Sequence, residues 1–389
     1  MKYWRGYLVA AIVAAGAWGL TEFAQSHGLL VDMIYPYMSR IIQTFLTDWS
    51  SAVPFCLWQL LVLVMVVGAL ATAVMMIIWK WNPIQWFGWV VAAVSIVFFL
   101  NTALFGLNAY AGPLAQDLRM DVSDYTIGQL EDAAEFYLER ANTLSSQINR
   151  DGRSEPLFPD FAALAQQAAE GFENQTYDEA NSIFAGSLTP VKELGWKEFF
   201  TARGITGLTV GVTGEAAVNP NTPALGLPFA ICREMAKRMC IYNDQDASFA
   251  AFLACSSHSD VNFQYSAYFM AYRYCFNALA DMDTSAAQIA AQKLQNAQSS
   301  LLTKDLASYN GSFAVGSDFA YAEIDPETPA DGPVRSNVAD LLTAWHLEKY
   351  VLPFLVEEET LFDPMDETQV DLSGLPYGPE PTEEAEENQ

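Results

Sequence analysis

Leu227–Cys255 reads LPFAICREMAKRMCIYNDQDASFAAFLAC, and its first half has the pattern of an amphipathic helix. Apolar residues recur there at helical spacing, and Pro228 stands where proline favours the first turn of a helix. The apolar residues are Phe229, Cys232, Met235, Ala236, Met239 and Cys240. The charged residues of the opposite face are Arg233, Glu234, Lys237 and Arg238. The stretch therefore predicts a helix with one side in a core and one charged side.

The charged side has the spacing of a zinc-peptidase helix but lacks the histidines. In His-Glu-x-x-His, two histidines four residues apart hold one metal ion and the glutamate activates water. Here Arg233 and Lys237 take the histidine positions, and Glu234 takes the position of the catalytic base. Arginine does not lose its proton in a protein, and the neighbouring Glu234 opposes loss of a proton from Lys237. We therefore expect no zinc and no other cofactor at this helix.

The charge of the chain is concentrated after the first third of the sequence. The chain has 389 residues and a formal net charge of −27. Residues 1–112 hold four basic and three acidic residues, which leaves 15 of the 19 basic and 43 of the 46 acidic residues to the remainder. A region this acidic is repelled by nucleic acid and by anionic headgroups. The composition excludes nucleic-acid binding.

Three long apolar runs occupy the N-terminal third: Tyr7–Leu20, Pro54–Ile78 and Trp86–Ala111. A bilayer requires about 20 apolar residues in a helix, and the aromatic residues beside the first run extend it to that length. The runs predict three membrane helices. A cleaved signal peptide is an alternative for the first of them.

The basic residues near these runs predict their orientation. Lys2 and Arg5 precede the first run, and Lys80 lies in the turn between the second and third. Basic residues favour the cytoplasmic side, so the N-terminus is expected inside, and the 26–52 segment and the large C-terminal domain outside. The 26–52 segment has a helical apolar pattern. It is either an amphipathic helix on the membrane surface or a plain connector.

The predicted organisation has three parts. Residues 1–112 form the membrane region, residues 113–362 an extracytoplasmic domain, and residues 363–389 a disordered tail rich in proline and glutamate. Helical patterns dominate the domain, and Thr206–Val218 is its main strand-like segment because threonine and valine alternate between glycines. The spacing of the cysteines in this domain matches no structural zinc motif, and we expect them to be small core residues. The fold class is membrane-anchored α+β and mostly helical.

Several short motifs along the chain carry a family resemblance. They are Val212–Asn219 (VTGEAAVN), Leu227–Phe229, Asp246–Phe249, Ser259–Asp260 and Phe263–Tyr268. With the three apolar runs, they make the chain similar to the bacterial membrane family named domain of unknown function 3810. The resemblance implies a bacterial plasma-membrane protein whose outer domain is zincin-like and carries an HExxH-type signature.

The resemblance also implies where the metal ligands have been replaced. In the family the helix typically reads His-Glu-x-Ala-His, followed by a Glu-x-Glu-Ala-Asn-Phe run that looks like the third-ligand segment of gluzincin peptidases. On this comparison Asp244 and Asp246 replace the two downstream glutamates, and Arg233 and Lys237 replace the histidines. Glu234 remains as a vestigial base. The resemblance therefore implies a degenerate metallopeptidase, a pseudoenzyme that has lost its zinc.

Two interpretations of the charged helix remain open. Arg233 and Lys237 could neutralise Glu234 and its acidic neighbours in place of the metal, which makes the old site a structural ion-pair cluster. Alternatively, the charges form a solvated helix face. A substitute metal site built from His258, Glu234 and Asp244 is a further possibility, against an exposed loop position for His258.

The cleft of such a peptidase could survive the loss of catalysis. Zincin-like peptidases bind extended peptide along a strand edge, and Gly207–Val218 is the candidate edge. Glu215 and Asn219 stand at its polar end, and Tyr265 and Tyr268 are candidates for the cleft wall. The alternative is a structural strand and core aromatic residues.

The sequence thus favours a non-catalytic membrane-anchored protein that binds a peptide or protein partner outside the cell, with the lipid bilayer as its other partner. One alternative is a residual metal-dependent hydrolase that uses Glu234 with unconventional ligands. Another is a structural membrane component without a ligand.

Overall fold

The structure is a computed structural model that describes residues 4–122, 125–176, 183–312 and 337–352. The predicted tail, residues 363–389, lies outside these ranges. Chain contacts divide the protein into two compact units, residues 1–345 and 346–389. Apart from His346 and the helical turn at Leu347–Val351, everything described below concerns the first unit.

Among the described residues, three helices are long and apolar enough to cross a membrane, which fits the three predicted spans. They are α1 (Arg5–Ser26), α3 (Leu57–Ile78) and α4 (Pro83–Leu104). Helices α1 and α4 pack closely, because a Cβ atom added at Gly6 would lie 2.4 Å from the backbone of Gly88. Helix α3 contacts α4 through the bond from Trp86 Nε1 to Thr72 Oγ1, at 3.0 Å, but none of the residues in its most hydrophobic 18-residue window is buried.

Helix α2 (Gly28–Ser50) is amphipathic, but its polar side is buried against the protein and its apolar side is exposed. Its buried positions include Ser39, Gln43 and Thr47, whose side chains donate to Leu104 O at 2.8 Å, Gly211 O at 3.0 Å and Gly214 O at 2.6 Å. Its large apolar residues face outward instead: Ile34, Met38, Ile41, Phe45 and Trp49. An exposed apolar stripe next to membrane helices is typical of a helix that lies in the lipid interface.

The region after α4 is mostly helical, as predicted. Its helices are α5 (Leu114–Asp117), α6 (Ile127–Ser145), α7 (Phe161–Gln167), α8 (Ala169–Thr176), α9 (Lys197–Thr201), α10 (Leu227–Arg238), α11 (Asp244–Ser256), α12 (Val261–Ala280), α13 (Ser285–Asn296), α14 (Ser300–Gly311) and α15 (Val338–His346). Short helical turns occur at Gly106–Tyr110, Ala224–Gly226 and Leu347–Val351. Side-chain oxygens cap the starts of several helices, including Thr126 at α6 and Asn243 at α11. Helices α6, α10, α11 and α12 surround one core rich in Phe and Tyr.

A small sheet lies beside α10. Its strands are β1 (Lys192–Glu193), β2 (Gly207–Val210) and β3 (Glu215–Val218), in the order β1-β3-β2. Strand β3 pairs in parallel with β1 and antiparallel with β2. The segment predicted as one strand is therefore a hairpin, and the turn before β3 has Gly214 at φ +66°, a conformation that favours glycine. Strands β1 and β2 are the two edge strands of this sheet, and β3 is central.

Candidate functional site: a charged cleft beside an edge strand

Helix α10 brings the charged residues of the motif to the sheet. Pro228 lies in its first turn, and the helix ends at Arg238. Cys240 follows with φ +71°, a left-handed conformation that prevents further helix. Asn243 then accepts a hydrogen bond from Gln245 N and starts α11. This sharp connection places Asp244 close to the charged side of α10.

Glu234 lies fully buried between α10 and β2. Its side chain is 0% exposed, and Thr209 Oγ1 donates to its Oε2 at 2.9 Å. Arg233 Nη2 donates to Oε1 at 3.3 Å, and Lys237 Nζ lies 3.9 Å from the same oxygen. The carboxylate contacts the strand so closely that a Cβ atom at Gly207 would lie 2.5 Å from Glu234 Cγ. Only glycine fits at that position without a shift.

Arg233 and Lys237 belong to a cluster in which positive and negative side chains alternate. Lys237 also forms an ion pair with Asp244, and Arg233 donates to Thr206 Oγ1 at 2.7 Å. Burial acts to raise the pKa of Asp244, but Lys237 and Arg233 outweigh it and lower the pKa below its ordinary value. Burial acts to lower the pKa of Arg233, and the charges of Glu234 and Asp244 outweigh it and raise the pKa. Two positive and two negative side chains therefore balance one another.

These residues do not fit a zinc ion. Catalytic zinc requires about three protein ligands that can lose a proton and one open position. Here a guanidinium and an ammonium group stand at two ligand positions, and each is ion-paired to a carboxylate. Over the described ranges, no group of three or more His, Cys, Asp or Glu side chains is arranged to hold a metal.

The other proposed ligands lie elsewhere. Asp246 is buried and lines a separate cavity of about 410 Å³ with Asp32 and Arg40, on the other side of α11 from Asp244. His258 is 2% exposed, so it is not an exposed loop residue. Its Nδ1 accepts from Asp260 N at 2.9 Å and its Nε2 lies 3.0 Å from Gln167 O. The substitute site of His258, Glu234 and Asp244 is therefore not assembled.

A cleft of about 290 Å³ opens over the charged cluster. One wall is the chain leading into and along β2, from Gly204 to Leu208. The opposite wall consists of side chains from α10, α11, α12 and α14: Phe229, Arg233, Lys237, Asp244, Ser248, Met270, Tyr274 and Tyr309. The cleft thus combines charged groups, aromatic rings and a strand.

The strand that borders the cleft has an open edge. Asn219 N donates to Thr206 O at 2.8 Å, and β2 continues in register with Leu208 opposite Ala217. Hydrogen-bonded pairs alternate along antiparallel strands, so Leu208 and Val210 bond to β3. The N–H and C=O groups of Gly207 and Thr209 point to the free edge. Unpaired groups of this kind can accept an added strand.

Glu215 and Asn219 do not line this cleft, because they belong to the central strand β3 and its end. Glu215 accepts hydrogen bonds from Leu57 N at 2.8 Å and Trp58 N at 2.9 Å, at the start of membrane helix α3. It also pairs with Lys192 at 2.6 Å. A carboxylate there satisfies free N–H groups and complements the helix dipole. Glu215 thus attaches α3 to the sheet.

The side-chain amide of Asn219 has a similar structural role. It is fully buried and donates to Thr201 Oγ1 at 3.0 Å, and it also bonds to the carbonyls of Lys197 and Ile205. These bonds fix the loop that leads into β2. Asn219 therefore holds the edge strand in place from behind.

Tyr265 and Tyr268 lie in the core, as the alternative interpretation of their spacing has it. Tyr265 is fully buried, and its hydroxyl donates to Asp305, which forms a buried ion pair with Arg150 at 2.6 Å. Tyr268 packs edge-on against Phe252. The aromatic residues that do line the cleft are Tyr274 and Tyr309.

Sequence reasoning missed two threonines that bond to the charged cluster, Thr206 and Thr209. Their hydroxyls bond to Arg233 and Glu234. The period of two along a strand was the available signal, because it puts Thr209 on the same side as Gly207. A small residue and a hydroxyl on one side of a strand suit close contact with a charged helix.

Comparison with known proteins gives one result. The family described as "Protein of unknown function (DUF3810)" matches residues 31–318, more than half of the chain. The chain belongs to this family. The DUF3810 match spans α2, the sheet, α10 and the cleft, so the candidate site lies within the family's shared region. No curated protein and no solved structure matches the chain.

Proposed function

We propose that this protein is a membrane-anchored pseudo-metallopeptidase whose zincin-like C-terminal domain binds an extended peptide and does not cleave it. One observation carries the proposal. Arg233 and Lys237, at the positions that histidine takes in the His-Glu-x-x-His pattern, pair with Glu234 and Asp244 and lie beside the open edge of β2. The chemistry of hydrolysis has been replaced by a charge-balanced cluster, while a surface suited to main-chain pairing is retained.

A residual hydrolase has less support. A general base must reach the water or proton that it activates. Glu234 is fully buried, one oxygen accepts from Thr209, and the other faces Arg233 and Lys237. These contacts hold the carboxylate in an ion-pair network away from the cleft space. They favour a structural role for Glu234.

Metal content is the first test. The purified full chain in detergent is incubated with zinc, dialysed and measured by elemental mass spectrometry. We expect no stoichiometric zinc. One tightly bound zinc per chain, together with peptide cleavage that Glu234→Gln abolishes, would overturn the proposal in favour of the hydrolase.

Peptide binding is the second test. A library of fluorescent decapeptides is titrated against the full chain by fluorescence polarisation. Thr209→Pro removes the edge N–H of β2 without removing a bond to β3, and proline is tolerated on edge strands. Thr209→Val removes the same hydroxyl but keeps the N–H, so the difference between the two variants isolates the edge.

We expect Thr209→Pro to bind about tenfold more weakly than Thr209→Val, the equivalent of one main-chain hydrogen bond. If no peptide binds, the protein is better regarded as a structural membrane component. Equal binding by the two variants would mean that peptides do not pair with β2.

The proposal puts the C-terminal domain outside the cell. Its support is the position of Lys2, Arg5 and Lys80 relative to the spans. Protease added to intact cells should therefore remove the domain and spare the membrane helices. Protection of the domain until the cells are opened would reverse the orientation.

A further inference from the structure

The two sides of β2 border two different environments. Gly207 and Thr209 face α10 and the charged cluster, as their contacts with Glu234 require. Alternate residues of a strand point to opposite sides, so Leu208 and Val210 face away from the cluster. Both of these residues line a groove between the membrane helices α3 and α4, and Thr209 borders this groove as well. The open edge of β2 therefore runs along the boundary between a polar cleft and an apolar groove.

The groove is large and lies where the membrane helices meet the sheet. One part, of about 390 Å³, has Leu61 and Val62 of α3 on one side and Phe98 of α4 on the other. A second part, of about 720 Å³, continues past Trp58 to Phe199. Leu208 borders both parts and also the charged cleft. Leu208 is therefore the lining residue that all three spaces share.

The chemistry of the combined surface selects one kind of occupant. Unpaired N–H and C=O groups on β2 are complementary to another extended polypeptide main chain, and an acyl chain offers no such groups. A strand added to β2 would alternate in the same way, with one set of side chains over the cleft and the next over the groove. The groove lies between α3 and α4, so a segment that already lies in the bilayer is best placed to pack apolar side chains into it by van der Waals contact.

Helix α3 leaves room for such an occupant. Its most hydrophobic 18-residue window has no buried residue, whereas α1 and α4 pack closely through Gly6 and Gly88. Glu215 holds the start of α3 on the sheet, next to the groove between α3 and α4. The space of about 390 Å³ at this end of the two helices can take apolar side chains of a second segment.

We propose that the partner of the cleft is itself a membrane-anchored polypeptide. Its extended segment adds to β2 at Gly207 and Thr209, and its adjoining apolar segment lies in the groove at Val62 and Phe98. This inference rests on the proposed peptide-binding function and specifies the class of partner.

The test compares two forms of one probe. A decapeptide that binds the full chain is prepared as a soluble peptide and as a fusion to a Leu/Ala transmembrane helix. Each form is titrated against the full chain in phosphatidylcholine vesicles. The ratio of the two affinities measures the advantage that the membrane anchor provides.

Two matched variants separate groove contacts from simple membrane tethering. Val62→Trp fills the groove, whereas Val64→Trp places the same side chain on the lipid-facing side of α3, since Val64 is 61% exposed and borders neither part of the groove. We expect Val62→Trp to reduce the affinity ratio about tenfold, because the indole fills the space in which the partner's apolar segment would pack. Val64→Trp should keep the wild-type ratio. Binding of the soluble probe reports that each variant is folded.

Each other outcome is decisive. If both variants keep the wild-type ratio, the anchor acts through tethering alone and the groove is not a docking site. If a photoactivatable phosphatidylcholine labels the groove equally with and without the anchored probe, a lipid is the occupant and the inference fails. If no soluble peptide binds at all, the proposed peptide-binding function itself has failed.

Discussion

Arg233→Met is the substitution that most directly tests the charge balance of the cleft. It keeps a long unbranched side chain but removes the cation 3.3 Å from Glu234 Oε1. The nearest remaining cation is Lys237, at 3.9 Å, while Thr209 still bonds the other oxygen at 2.9 Å. Breaking a fully buried ion pair costs about 3–5 kcal/mol. Because Arg233 is 21% exposed and Lys237 remains, we expect a loss of about 2–3 kcal/mol.

Substitution of the anionic partner, Glu234→Gln, should lower the unfolding free energy by less than Arg233→Met does. Glu234→Gln keeps the shape and the bond from Thr209, and it leaves two cations that reach solvent, with 21% and 17% exposure. We expect a loss of about 1 kcal/mol in unfolding free energy. In the double variant no buried charge is left unpaired. Its loss should therefore be smaller than the sum of the two by about 1–2 kcal/mol.

Thermal unfolding of the full chain in detergent, followed by tryptophan fluorescence, measures these differences. For a domain of this size, a loss of 2–3 kcal/mol corresponds to a fall of about 5–10 °C in Tm. Arg119→Met is the matched control, because Arg119 is exposed. The ion-pair argument is refuted if Arg233→Met unfolds within about 2 °C of Arg119→Met, or if the two losses are simply additive.

Three further substitutions address the supports of the site. Gly207→Ala should lower the unfolding free energy by about 1–3 kcal/mol because its Cβ meets Glu234, whereas Gly152→Ala, with open space around it, should be neutral. Glu215→Gln should cost about 2–3 kcal/mol and speed proteolysis of the 51–56 connector, and the exposed Glu193→Gln should do neither. Since the folded-state pKa of Asp244 is lowered, its contribution is present above the ordinary value of 3.8 and is lost as the pH falls through the lower folded value. The Tm difference between wild type and Asp244→Asn should therefore persist through pH 3.8 and close only below it; closure well above that value contradicts the ion pair.

The large features of the fold follow from the sequence because they depend on composition. The three apolar runs, with the aromatic residues beside the first, are long enough to cross a bilayer, and the described residues include three matching helices. The start of α10 follows from Pro228 and the apolar stripe. The orientation of the chain, meaning which side of the membrane holds the N-terminus and the C-terminal domain, depends on a few basic residues. It stays a prediction.

The errors concern which residues face the cleft. Asp244 and Asp246 are two residues apart on one helix, so they cannot both face Arg233, and only Asp244 does. The sequence pattern predicts Gly207–Val218 as one strand, and on that prediction Glu215 lies at the polar end of an edge strand. The turn at Gly211–Gly214 makes this segment a hairpin and moves Glu215 to the central strand. Nonlocal pairing of this kind is not visible in a period-two pattern.

Helix α2 shows the same limit in another form. Its apolar periodicity is correct, but periodicity alone does not say which side faces the protein. Ser39, Gln43 and Thr47 are buried because carbonyl groups at the end of α4 and in the hairpin need donors there. The apolar side is then free for lipid. Near a membrane, the usual association of apolar with inside is reversed.

The charge cluster gives the buried Glu234 a structural role that does not require catalysis. A fully buried carboxylate is costly unless paired, and in this cleft Arg233, Lys237 and Thr209 supply the pairing. Removing any one of them leaves Glu234 less fully compensated. The same contacts hold α10 against β2 and so keep the strand edge in position. Glu234 can therefore be essential to the proposed peptide-binding surface without acting on a peptide bond.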